Sequence, residues 1–176
     1  NVAAVNYHFG GKDKLYIATF RRLLIDLRDR RINSMLRDMN AVQDPTLEYF
    51  LESFVNAFLE PLVGDGRGAM LLSIFANEMT NAHLPPGMFF DEMVRPLIQV
   101  TNQCLDRVGP ALEPQTGLMC IMSIVGQLLH TLKALPHFSN PDPPLSVPTD
   151  LNDHIQHIVR FSAAGIRACA AMEEAS

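Results

Sequence analysis

Three cysteines in 176 residues, Cys104, Cys120 and Cys169, are odd in number and too far apart for a disulfide framework. The chain therefore reads as one from a reducing compartment, the cytoplasm. Runs of alternating β-branched residues are missing, which removes the sheet classes. The common catalytic patterns are missing too: no G-x-S-x-G, no H-E-x-x-H, no C-x-x-C and no nucleophile–base pair in any local register. Catalysis is thus unsupported and no cofactor is implied. No signal peptide is visible, and the chain opens with neither a Met nor a helix cap, so it is expected to begin inside a domain. A membrane span is not expected. The most apolar stretch, around Leu118–Leu129, is too short, and Gln127, His130 and Lys133 lie at its end.

What is present is helical material. Hydrophobic residues make up 48% of the chain, and Leu, Ala, Met and Arg, all good helix formers, are plentiful. The fold class is all-α, one domain plus a fragment, long enough to bury a sizeable core. The net charge of −5 is unevenly spread. Residues 1–31 carry an excess of four positive charges and residues 32–176 an excess of nine negative ones. The basic end suits a partner with phosphates, although Arg28–Arg31 (RDRR) also reads simply as a solvated helix face.

Periodicity divides the chain. A long helix is predicted from about Lys12 to Met39, its buried side marked by Tyr16, Phe20, Leu23, Leu24, Leu27, Ile32, Met35, Leu36 and Met39. Asp44-Pro45 is expected to cap and restart the next, in which Leu47, Phe50, Leu51, Phe54, Val55, Phe58, Leu59 and Leu62 form the clearest apolar stripe. Gly64, Gly66 and Gly68 form a loop and follow no strand, so they are not a phosphate loop. Further helices are predicted over 67–82, over 88–108 with a bend or break before Pro96, and over 115–135. Pro136–Pro148 holds five prolines and reads as an extended loop. The last helix is predicted over 149–172.

The opening stretch, Asn1–Tyr16 (NVAAVNYHFGGKDKLY), organises the rest. Gly10-Gly11 ends one short helix, and Lys12 opens another after a turn tight enough for half of a helix-turn-helix unit. Tyr7-His8-Phe9, Gly10-Gly11, Lys12 and Leu15 resemble, in register, the end of the DNA-binding domain of TetR-family transcription regulators. The string VAAVNYHFG also resembles the CecR-like branch of that family. The resemblance implies a truncated DNA-binding head (residues 1–17) on a helical ligand-binding and dimerisation domain (residues 18–176). It further implies a homodimeric repressor on operator DNA, released by a small-molecule effector.

By that register Asn1, Val2, Ala3, Ala4 and Asn6 lie on or near the groove-facing side of the recognition helix. Tyr7, His8 and Lys12 would reach phosphates, and Phe9 would pack the head together. Asn6 stands where family members often have an aromatic residue. An effector pocket is expected among Phe54, Phe58, Met70, Phe75 and Met93, with Glu78, Gln127, His130 and Thr131 as the polar groups. The plainer reading of that Phe/Met stripe is core. Ser123, Gly126, Ile155, Ile158, Ser162, Gly165 and Ile166 suggest a two-helix surface that pairs with its copy as a four-helix bundle, or small residues packed within one protomer. Asp150, Asp153, His154 and His157 could hold a divalent cation but read more simply as an exposed helix face, so no metal is assigned. Two rival functions are a dimeric interaction module that does not read DNA and a small helical enzyme.

Overall fold

The structure, a computed structural model, describes residues 10–63, 68–81, 83–138 and 150–175. Among them are six α-helices and one π-helical turn: α1 Lys12–Ala41, α2 Leu47–Val63, α3 Gly68–Asn81, the π turn Phe90–Val94, α4 Arg95–Val108, α5 Pro114–Phe138 and α6 Leu151–Glu174. No strand occurs among the described residues. The all-α reading holds.

Gly10 and Gly11 have φ of 70° and 124°, the left-handed region that favours glycine, and α1 starts directly after them. Its 30 residues span about 45 Å. The buried positions are Phe20, Leu24, Leu27, Arg31, Met35 and Met39, an unbroken i+3/i+4 stripe with a cation in the middle. Leu36, expected on this side, is 36% exposed.

The central element is α2. It packs against α1, α3, α4 and α6, and Leu47, Phe50, Leu51, Phe54, Val55, Phe58, Leu59 and Leu62 are all buried. Its start differs from expectation. Asp44-Pro45 lies outside the helix, and the Thr46 hydroxyl accepts from the Tyr49 N–H at 3.2 Å, so Thr46 is the cap. Beyond the far end of α2, Gly68 is obligatory for a plain reason: a Cβ there would sit 1.6 Å from the Leu62 carbonyl oxygen.

The expected break before Pro96 is a widened turn. Pro96 has no N–H to give the Glu92 carbonyl, and Arg95 instead donates back to Phe90, closing the π turn. The orphaned Glu92 carbonyl accepts from Arg28 Nη1 at 3.0 Å, so α1 supplies the donor that the proline lacks. Helix α5 runs to Phe138, through Pro136, so residues 136–138 are helical and not part of the extended loop expected from residue 136. Residues 139–149, like Gly64 and Gly66, lie outside the described residues. Asp150 caps α6 by accepting from the Asn152 N–H at 3.0 Å. The end of α6 serves its neighbour: Glu173 accepts from the Glu113 N–H at 2.9 Å and from the Thr116 hydroxyl, capping the start of α5 from outside.

Phe50 is fully buried in α2, so Phe50→Ala should cost about 3–5 kcal/mol in denaturant unfolding with an unchanged m-value. Leu36→Ala should cost less than about 1 kcal/mol.

Candidate functional site

The expected effector residues fall into separate groups. Phe54, Phe58 and Met93 are core, 2%, 7% and 3% exposed. Phe75 packs edge-on against Phe20 of α1 and Phe89 ahead of the π turn. Met70 is exposed. On α5, Gln127 lies with Ser123 in a groove facing α6, His130 is exposed and Thr131 half-buried. These three α5 residues are not brought together with Glu78, which belongs to a different cluster.

That cluster fastens α1 to the body. The Tyr16 hydroxyl donates to Glu78 Oε1. The backbone N–H groups of His83 and Leu84 donate to Oε2, both at 3.2 Å, and His83 Nδ1 lies 3.2 Å from Oε1. Burial pushes the Glu78 carboxyl up, but hydrogen bonds from Tyr16, His83 and Leu84 outweigh it and hold the group below its ordinary value. The same hydrogen bond to Glu78, with some burial and the carboxylate's charge, pushes Tyr16 up to about 12. One helical turn and more along α1, Arg21 Nε donates to Glu92 Oε1 at 2.6 Å, and Arg28 Nη1 lies 3.9 Å from Glu92 Oε2. Two carboxylates of the body, Glu78 and Glu92, thus hold the first half of α1.

Arg31 sits beside these. It is only 8% exposed, stacks at 4.2 Å over the Phe58 ring, and gives Nη2 to the Phe58 carbonyl at 3.3 Å. Nη1 reaches only the Met93 thioether, at 3.8 Å, and Nε has no partner. Burial pushes the guanidinium down to about 10, which leaves it charged near neutral pH. Sequence reasoning placed Arg28 and Arg31 on a solvated or phosphate-facing stretch. The signal that would have found Arg31 is its register with Leu27 and Met35. The Thr101 hydroxyl of α4, also fully buried, is a second polar atom without a partner.

A groove of about 240 Å³ separates α5 from α6, lined by Cys120, Ser123, Gln127, Ser162, Gly165 and Cys169 among others. Of the expected pairing residues, Ile158, Ser162 and Ile166 face the interior of the protomer, Ile155 is half-buried, and Ser123, Gly126 and Gly165 face out. Nothing lies within 4 Å of a Cβ built on Gly126 or Gly165. Exposed beside them are Met119, Met122 and Phe161, at 58%, 54% and 62%, which the small-residue pattern did not reveal. Helix α5 is long and apolar enough to span a membrane by length and composition, over Pro114–Ala134. It packs on α4 and α6 along one side and bares its apolar remainder on the other. A larger groove of about 590 Å³ is lined by α1 alone and encloses nothing.

Asn1, Val2, Ala3, Ala4, Asn6, Tyr7 and His8 lie outside the described residues; Lys12 is exposed at the first position of α1. Among the described residues no three metal-capable side chains gather. Asp150 is occupied as a cap, and His157 stacks on Phe161.

An all-α body led by one long helix, with a bare two-helix face at its end, is the architecture of a TetR-type regulator's ligand-binding domain. The family described as the C-terminal domain of the HTH-type transcriptional dual regulator CecR matches residues 47–166, and the chain belongs to that family. It is therefore a domain of a TetR-type transcriptional regulator. No curated protein and no solved structure gives a significant match.

Two predictions rest on these geometries. Glu78 is held below its ordinary value, so its contribution to stability is full above the ordinary carboxylate range and is lost as pH falls through and below it. Tyr16→Phe should lower stability by roughly 0.5–1.5 kcal/mol at neutral pH, with the gap to wild type narrowing in acid, as thermal unfolding across pH would record. Burial, with Cys169 adjacent, pushes the Cys120 thiol up to about 11. Its alkylation by iodoacetamide should still rise about tenfold per pH unit between pH 9 and 10, where free cysteine has levelled off.

Proposed function

We propose that the protein is a homodimeric, DNA-binding repressor whose operator affinity is lowered by a small-molecule effector held in the helical body. The head would end near residue 17 and the ligand-binding and dimerisation domain would occupy residues 18–176, in the cytoplasm. The observation that carries this reading is α1. One continuous helix of 30 residues leads from the Gly10-Gly11 turn into the body, where Glu78 and Glu92 grip it. An effector that favours a different seat for α1 re-aims whatever precedes Lys12, and needs only a differential affinity for the two seats. Lys12, exposed at the helix start, would contact phosphate there, with Asn1, Val2, Ala3, Ala4 and Asn6 toward the groove and Tyr7 and His8 on the backbone.

Dimerisation would use the outer face of α5 and α6. Gly126 and Gly165 leave room for close approach, and Met119, Met122 and Phe161 supply apolar area to cover. Met122→Glu should therefore yield a monomer in analytical ultracentrifugation with little change in helix content. The direct test of function is anisotropy of the complete protein on DNA flanking its own gene, at two salt concentrations, with random DNA as control. Selective binding that weakens steeply with salt is expected. Absence of binding at either salt would leave a helical interaction module as the reading.

A further inference from the structure

We propose that Arg31 is the anchor of the effector site and that the effector is a hydrophobic carboxylic acid, its carboxylate on the guanidinium and its apolar body among Phe54, Phe58 and Met93. This rests on the effector-controlled reading above and specifies its ligand. A buried guanidinium is stable when a carboxylate or a full set of acceptors surrounds it, and costly otherwise. Arg31 has one carbonyl, one weak thioether acceptor and an aromatic face, and its Nε is bare.

No carboxylate on the elements packed against it bonds to Arg31, and several are engaged elsewhere. Glu92 pairs with Arg21 and Arg28, Asp29 with Arg28, and Asp38 with Ser53 and Arg37. Among the described residues, then, nothing anionic reaches Arg31, and an anion delivered from outside completes the set. Planar guanidinium against planar carboxylate is the pairing with the best geometric match.

The surroundings choose the rest of the ligand. Phe58 and Met93 touch Arg31 and are buried apolar side chains, one of them adaptable, Phe54 lies one turn before Phe58 on α2, and a second buried atom without a partner, the Thr101 hydroxyl, lies on α4, which packs against both α1 and α2. Met93 belongs to the π turn, a widened helical turn of the kind that clusters at functional sites. Seating an acid on Arg31 draws on the α1–π turn contact that Arg28 and Glu92 also form, so the site lies on the joint that positions α1.

The test uses the complete protein with phenylacetate and octanoate, and with phenylacetamide and octanamide as uncharged isosteres, each at millimolar concentration. Both acids should raise the thermal midpoint saturably by about 2 °C or more and the amides should not. Arg31→Met should have a higher midpoint than wild type without ligand, because an unpaired buried charge is gone, and should no longer respond to acid. Arg31→Lys keeps the charge without the fork; should the Met variant not fold, it carries the test and should weaken the acids at least about tenfold. No response to either acid, an equal response to the amides, or an undiminished response in Arg31→Lys would overturn the proposal. Operator anisotropy run in parallel separates the two readings. Acid that binds through Arg31 without releasing DNA keeps the site and sinks effector release; acid that releases DNA equally from Arg31→Met does the reverse.

Discussion

The fastening of α1 to the body is the interaction on which the rest depends. A helix of this length is stiff, so its far end goes where its near end is held. As far as Arg28 it buries Phe20, Leu24 and Leu27 on the body with Leu23 partly buried beside them, and the remaining hold is polar: Tyr16 on Glu78, Arg21 and Arg28 on Glu92. Apolar contacts tolerate sliding, whereas charge-assisted hydrogen bonds have one good geometry. Its second half is tied differently, with Asp38 accepting from Ser53 and Tyr49 of α2. The helix is firm where it meets α2 and carried on polar contacts toward its N-terminal end.

A single proline shapes that arrangement. Without an N–H at residue 96, the Glu92 carbonyl is left over, the turn widens, and Arg28 fills the vacancy from α1. The same widened turn presents Met93 to Arg31. A backbone irregularity, a gripping ion pair and a buried cation therefore converge on one joint. The departure from regular helix thus falls at the joint between α1 and the body.

Most helices were legible because each carries a strong period of 3.6, and α2 is the clearest case. The end of α5 was not, since Pro136 signals a break that the helix overrides, and the cap of α2 was displaced from Asp44 to Thr46, whose hydroxyl reaches Tyr49 N–H. The candidate sites were legible only in part. Composition points to Phe54, Phe58 and Met93 as a pocket lining, and the structure puts them in the core; the charged run RDRR hides Arg31, which its register with Leu27 and Met35 buries. The long-range partners of Glu78 and Glu92 are 62 and 71 residues away in sequence, at Tyr16 and Arg21, and no local pattern announces them. Small residues marked the α5–α6 face, while the exposed Met119, Met122 and Phe161 on it were invisible to a rule that assigns apolar residues to the interior.

That Glu78 and Glu92 hold the N-terminal part of α1 is tested most directly by amide hydrogen exchange on the double variant Glu78→Gln, Glu92→Gln. The account predicts exchange at least about tenfold faster at the amides of residues 16–28, with residues 50–59 of α2 unchanged. Acceleration spread evenly over both helices, or none in either, would contradict it.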